Sequence, residues 1–401
     1  MTRDMVTAAN KASLATLISI KPTTEDLQRA ADLKPNGVLA ESTIPVSVKK
    51  AATNSGLVAI ELPPRASMRF DEDQPVVGTT QGVWPGIQVE EGGSAKAAPS
   101  GAPWIDTNSG FLRFVRSATA APVWIGVRPP AKAVITLERY LQAIADAGIV
   151  GARWIVALDA EFLRELTRKN EKALATWARM SQLMAYFESH NEWRTMKPAG
   201  LLAILQDVDS GALYSGGVLD MIAVKHTPVR PVPTRKMSDE AMSGTKMAVN
   251  VDPASLTDAQ KQALRAWTRS GGTLLSGPST WKFPAPKPDQ ITLSEADVKM
   301  LDEIWKEMNS MTGRKNLGVR LFNVSSMLSN LSEDGPKRVL HLVNYSGYPV
   351  ENVTVHILGK FTSATLLAPG ATAKKLTVYE VEDGTGVDIE TVSIAASLLL
   401  E

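Results

Sequence analysis

The chain has 401 residues, 44% of them hydrophobic and 21% charged, which predicts two or three domains with sizeable cores and excludes a largely disordered chain. Its 43 basic and 42 acidic residues nearly cancel, so the electrostatic case for nucleic acid as the main partner falls away. No run approaches the ~18 apolar residues of a membrane span, and the lack of cysteine excludes disulfides, thiolate nucleophiles and cysteine metal sites.

The chain begins MTRDMVTAANKASLATLISI, with a basic residue but neither an apolar h-region nor a small-residue cleavage site. Two localisations fit: cytoplasmic, or periplasmic or secreted after removal of a signal peptide. Short apolar runs follow at 14–20, 37–41, 57–62, 86–90, 103–107, 122–127 and 152–159. Continuous runs of this kind suit parallel strands buried on both faces. Helical stretches separate many of them: 24–33, with Thr23 or Thr24 as N-cap; 136–147, with Leu137, Leu141 and Ile144 on one face; and a long segment over 160–193. This alternation predicts an α/β fold that opens with a (β/α) TIM-like barrel over residues 1–197. The Gly-, Pro- and Ser-rich stretch 63–103 interrupts it and, carrying Trp84 and leading into Trp104, is read as a functional loop.

Residues 198–317 predict a Rossmann-like αβ unit with strands at 201–206, 229–232, 247–251 and 273–276. Helices are expected at 217–225 and 258–269, the second opened by the capping-box pattern of Thr257 and Gln260. A Pro-rich linker at 283–288 and a helix at 295–308 close this unit. Beyond residue 317 the helical period disappears. Apolar runs at 319–324, 338–343, 350–358, 364–367, 376–381 and 387–399 predict a C-terminal β-sandwich over 318–401.

The segment MAVNVDPASLTDAQKQALRAWTRSGGTLLSGPS resembles an element of the glutamine-amidotransferase-like domain that follows the barrel in β-galactosidase-type glycoside hydrolases. The run RVLHLVNYSGYPVENVTV resembles the small β domain that ends many such chains. The resemblance implies a glycoside hydrolase-like multidomain protein whose amidotransferase-like unit carries no amidotransferase chemistry. An Asn-Glu-Pro-type acid motif at a strand end is absent.

In a barrel of this kind the reactive groups sit at the C-terminal ends of strands, and glycoside hydrolysis requires two carboxyl groups flanking the scissile bond. The candidate catalytic acids are Asp106, Asp159, Glu61 and Glu90. Asp106, beside Trp104, ranks first, although Asp is also a favoured N-cap for a helix starting near residue 110. Asp159 is equally placed to cap the helix that follows it. Glu61, before Pro63 and Pro64, is either a site acid or the partner of a basic group, and Glu41 is a weaker analogue. Glu90 adjoins a glycine-rich loop, where solvation is the ordinary state. Trp84 and Trp104 are the candidate sugar platforms, with Asn108 and Arg128 as polar contacts. Arg128 suits a carboxylate or an anionic sugar, against the alternative of a structural ion pair.

The four histidines are scattered without metal-binding spacing, and GxSxG, GxxxxGK[ST] and GxGxxG patterns are absent, so no metal or cofactor is expected. The leading reading is a glycosidase acting on an oligo- or polysaccharide. Its alternative is a non-catalytic carbohydrate-binding protein on a degenerate barrel. A third is a structural module that forms a homo-oligomer.

Overall fold

The computed structural model describes residues 3–11, 15–70, 74–97, 103–207, 219, 226–277, 294–312 and 315–401. The fold is mixed α/β with a β-rich C-terminal region. The helix expected at 217–225, apart from Leu219, and the linker at 283–288 lie outside these residues.

The first part runs α1 (Arg3–Lys11), β1 (Leu17–Ser19), α2 (Thr24–Ala31), β2 (Gly37–Ala40), α3 (Val46–Asn54), β3 (Val58–Glu61) and β4 (Val77–Thr79). It continues through β5 (Gly86–Ile87), β6 (Ile105–Asp106), α4 (Ser109–Ala118), β7 (Val123–Gly126), α5 (Leu137–Gly148) and β8 (Arg153–Ile155). The last pieces are α6 (Ala160–Thr167), α7 (Glu171–Ser189) and β9 (Lys197–Pro198).

Six of these strands form two parallel three-stranded sheets, β1-β2-β3 and β4-β7-β8. Side-chain alternation along each strand explains how the two halves cohere. Val38 and Ala40 of β2 turn outward onto Leu27, Val48 and Ala52 of the flanking helices. Leu39 turns inward and joins Leu17, Ile60, Leu62, Val76, Trp124 and Ile155 in one apolar cluster fed by both sheets. The two sheets therefore curve around a common interior, yet among the described residues no ladder closes them into a barrel. Strand spacing is tight here: a β-carbon on Gly78 would lie 2.4 Å from the Trp124 carbonyl oxygen.

Two expected barrel strands pair differently. The runs at 86–90 and 103–107 contribute β5 and β6, which pair antiparallel with each other as a short excursion off the parallel layer. A short apolar run does not encode its partner, and the polar turn at Glu91–Ser94 folds this one back on itself. The helical segment at 160–193 is also broken, at Lys169, whose φ of 57° leaves the helical region. Asn170 then restarts the helix by accepting from the Ala173 amide.

The second part contains β10 (Leu202–Gln206), β11 (Val229–Pro233), α8 (Asp239–Met242), β12 (Met247–Asn250), α9 (Asp258–Arg269), β13 (Thr273–Ser276) and α10 (Glu295–Thr312). Its strands form a parallel sheet in the order β11-β10-β12-β13. The capping box of Thr257 and Gln260 is formed, and it fixes where α9 begins.

The third part is antiparallel: β14 (Val319–Phe322), β15 (Met327–Asp334), β16 (Lys337–Asn344), β17 (Val350–Leu358), β18 (Ala364–Leu367), β19 (Lys374–Leu376), β20 (Val378–Val381), β21 (Gly384–Val392) and β22 (Ala395–Leu400). One sheet runs β14-β17-β21-β20 and the other β19-β18-β22-β16-β15-β9, so the segment leaving the α7 region already belongs to the C-terminal layer. The two sheets enclose a core containing Leu340, Leu342, Leu398, Val353, Val355 and Ile389. The other face of the six-stranded sheet is covered as well. Leu328, Val343 and Tyr345 join Leu141, Ile144, Leu183 and Phe187 in the largest apolar cluster. Burial on both faces explains why β16 reads as a nearly continuous apolar run. The same cluster takes in Leu202, Val249, Ile304 and Trp305, so one core ties the three parts together. Fully burying side chains such as Leu112 and Ile125, both at 0% exposure, contributes about 1.5–3 kcal/mol each.

Candidate functional site

Parallel strands present their C-terminal ends together, and ligands gather there because the loops that follow are free to vary. Here those ends carry Glu41 after β2, Thr80 after β4, Arg128 after β7 and Asp159 after β8. Two clefts open on this edge. One of 580 Å³ lies beside β1 and α2, and one of 390 Å³ lies beside β7 and β8. Glu41 and Arg128 line both. The Arg128 guanidinium donates to the Glu41 carboxylate at 2.5 Å, joining the ends of two strands that belong to different sheets. The pair stands in solvent, with the Arg128 side chain 73% exposed, so this ion pair is weak and open to exchange with a ligand.

Asp159 reaches the 390 Å³ cleft but is only 2% exposed. Its Oδ1 accepts from the Phe162 amide as the N-cap of α6. Its Oδ2 accepts from the Tyr140 hydroxyl at 3.0 Å and the Ile135 amide at 3.1 Å. Burial pushes the Tyr140 phenol up from its ordinary value, with the Asp159 charge adding to the effect.

The other acids lie apart from this edge. Glu61 ends β3 but turns to Lys49 at 2.9 Å and to the Ile44 amide at 2.5 Å, lining a cleft of 440 Å³ between β3 and the segment that leads into β4. Asp106 sits on the β5–β6 excursion, where its Oδ1 accepts from the Gln88 amide at 2.6 Å. Burial pushes the Asp106 carboxyl above its ordinary value, against the pull of Gln88, Arg139 and Lys96. Glu90, on the same excursion, is exposed and accepts from Ser94.

Trp104 is half-buried, with the Lys96 ammonium 5.7 Å from its ring centroid. Trp84 packs edge-on against Tyr140 at 5.4 Å and Trp154 at 5.6 Å. Its buried indole N–H has no hydrogen-bond partner among the described residues. Asn108 is fully buried; its amide accepts from the Val83 N–H at 2.8 Å and donates to the Val83 carbonyl at 2.9 Å. It therefore fixes the loop that carries Trp84. The edge thus brings Asp159 and Arg128 together with Glu41, whereas Glu61, Asp106, Glu90, Trp104, Trp84 and Asn108 serve other surroundings.

Sequence reasoning passed over Asp146, a fully buried carboxylate on α5. It accepts from the Thr107 and Tyr345 hydroxyls, each at 2.5 Å, and from the Asn108 backbone amide at 2.7 Å and side-chain amide at 3.1 Å. Burial pushes this carboxyl up, and the donors pull it back only partly. Through Asn108 it holds the Val83 loop, and through Tyr345 it holds the C-terminal layer. Neighbouring bonds extend that contact: Gln142 donates to the Ser346 carbonyl and Asn330 to the Ile149 carbonyl. One signal was present in the sequence. Asp146 is the lone charge between Tyr140 and Ile149, and in so apolar a helix it had to be buried. Among the described residues no group of three or more metal-ligating side chains occurs, and no helix is long and apolar enough to cross a membrane.

No family model matches the sequence, and no curated protein matches it. Solved structures do match. The α-L-fucosidase isoenzyme 2 from Paenibacillus thiaminolyticus superposes with a TM-score of 0.56 at 12% identity, covering 94% of this chain and 80% of that one. The fold is therefore glycoside hydrolase-like. A rhamnosidase from Novosphingobium sp. PP1Y gives a TM-score of 0.49 at 10% identity, over 94% of this chain and 39% of that one. A catalytic mutant of the GH42 β-galactosidase Gan42B from G. stearothermophilus gives 0.47 at 9% identity, over 91% and 63%.

Proposed function

We propose that this chain binds a carbohydrate at the C-terminal edge of its parallel strands, using a glycosidase-type framework without the hydrolytic step. The observation that carries this reading is the Glu41–Arg128 pair, set where two clefts meet. A carboxylate and a guanidinium side by side offer an acceptor and several donors to vicinal hydroxyls. The clefts are of a size that holds a small ligand, in the range of about 300–1,000 Å³. Hydrolysis asks for one carboxyl that gives up a proton and a second that attacks or activates water. Here Asp159 is engaged by three donors, and Glu41 faces a guanidinium that favours its charged form over a proton-donating one. The amidotransferase-like ancestry suggested by residues 247–279 belongs to the same proposal. The parallel order β11-β10-β12-β13 supports it.

One observation favours a second reading. Glu41 and Asp159 line the same 390 Å³ cleft, and two carboxyls in one cleft are the first condition of a hydrolytic pair. A single experiment separates the two. Titration calorimetry against a panel of oligosaccharides is followed by long incubation with the ligand that binds and chromatography of the products. Binding with intact sugar supports the first reading. Stoichiometric release of shorter products, abolished in Asp159→Asn, supports the second. Absence of any binding removes both.

A further inference from the structure

The two clefts carry different sets of charges. The 390 Å³ cleft sets Arg128 and Lys132 against Glu41 and Asp159, whereas the 580 Å³ cleft is ringed by Lys21, Arg29 and Arg128 against Asp26 and Glu41. Three cations and two carboxylates line it, and Glu25 beside Arg29 brings the charges level. Arg29 is occupied within its own helix, by Glu25 at 2.5 Å and Asp26 at 3.7 Å. Arg128 is occupied by Glu41. Lys21, exposed just past β1, makes no ion pair among the described residues. The floor of the cleft is apolar, formed by Ile18, Ile20 and Leu33.

From this charge pattern, which rests on the sugar reading above, we infer that the ligand of the 580 Å³ cleft is an acidic sugar, one bearing a carboxylate or a sulfate. A pyranose lays its C–H face on an apolar floor and turns its polar edge to the rim. A single negative charge on that edge gives Lys21 a counter-charge. It also gives Arg128 an alternative partner to Glu41, in the planar two-point geometry that guanidinium offers to carboxylate and sulfate oxygens. A neutral sugar leaves Lys21 without a counter-charge and must compete with Glu41 for Arg128 through hydroxyls alone.

The test uses the full chain and three matched oligosaccharides: neutral, uronic-acid-containing and sulfated. Affinities are measured by calorimetry at low and high salt, in wild type and in Lys21→Gln. The expected result is at least tenfold tighter binding of an acidic sugar than of the neutral one at low salt, a preference that shrinks at high salt. Lys21→Gln is expected to reduce that preference to threefold or less. The two acidic arms tell carboxylate from sulfate. Equal or tighter binding of the neutral sugar overturns the charge inference and leaves the sugar reading standing. An acidic preference unmoved by salt and by Lys21→Gln also overturns it. Failure of all three sugars to bind overturns the sugar reading itself.

Discussion

Replacing Asp146 with alanine removes the acceptor shared by four donors in a fully buried site. Two of the four recover. The Thr107 hydroxyl can turn to Ser109 Oγ at 2.9 Å, and the Asn108 side-chain amide keeps the Val83 carbonyl. The Tyr345 hydroxyl and the Asn108 backbone N–H each lose their bond to this carboxylate. Losing a buried hydrogen bond to a charged group costs about 1.5–3 kcal/mol, so the two together cost about 3–6 kcal/mol. Removing a buried charge offsets part of that, and the expected net loss is about 2–4 kcal/mol. Against a typical domain stability of about 5–15 kcal/mol, the variant still folds at room temperature. Tyr345→Phe deletes one donor and one link to the C-terminal layer, for about 1–2 kcal/mol. Urea unfolding followed by far-UV circular dichroism and by tryptophan fluorescence measures both variants. Because one apolar cluster joins the three parts, the two probes should coincide in wild type. In the double variant the losses should add to less than their sum, because the two residues share one bond. An Asp146→Ala midpoint within experimental error of wild type, or full additivity of the two changes, refutes the assignment of Asp146 as the joint between layers.

Other predictions follow from the same geometry. Burial pushes His226 down to about 4 and His341 down to about 3. The unfolded chain therefore takes up protons first as pH falls below 6.5, and each histidine costs about 1.4 kcal/mol per pH unit until its folded value is reached. Asp106 and Asp146, both raised, work in the opposite sense, so the comparison to make is with His341→Asn. Its melting temperature should fall less steeply with acid than that of wild type, and parallel curves would remove His341 from the explanation. Asp159→Ala deletes a helix cap worth about 0.5–2 kcal/mol and strands the Tyr140 hydroxyl and the Ile135 amide. Thermal denaturation should show a loss of roughly 3–5 kcal/mol in all, and an unshifted transition would contradict the capping role. Gly78→Ala forces a β-carbon to 2.4 Å from the Trp124 carbonyl oxygen and 2.8 Å from Leu62. The expected cost is about 1–3 kcal/mol, and a neutral effect in chemical unfolding would mean that β4 and β7 are not so closely set.

Regular periodicity made much of this architecture legible in advance. α5, the capping box of α9 and the β16–β17 run are found where residue pattern places them. What pattern does not encode is pairing. The runs that became β5 and β6 have the composition of buried strands, and only their antiparallel partnership distinguishes them from barrel strands. Residues 387–399 read as one strand, but Ser393 and Ile394 turn the chain between β21 and β22, whose partners lie in different sheets. The site was harder to read than the fold for the same reason. Asp159 was marked by its strand end, yet its three donors come from residues 135, 140 and 162. Glu61 was marked likewise, and its partners Ile44 and Lys49 lie on the preceding turn and helix. Which acid is free depends on contacts across elements. The Glu41–Arg128 pair, 87 residues apart in sequence, is visible only once the strands are assembled.

The most direct test of sugar binding at the Glu41–Arg128 junction is a crystal structure of the chain soaked with the oligosaccharide that binds best in calorimetry. A ring resting against Ile18 and Ile20, with its polar edge within hydrogen-bond distance of Arg128, is the predicted result. Sugar density on the β5–β6 excursion, against Trp104 and Asp106, with the Glu41–Arg128 edge empty at saturation, would contradict it.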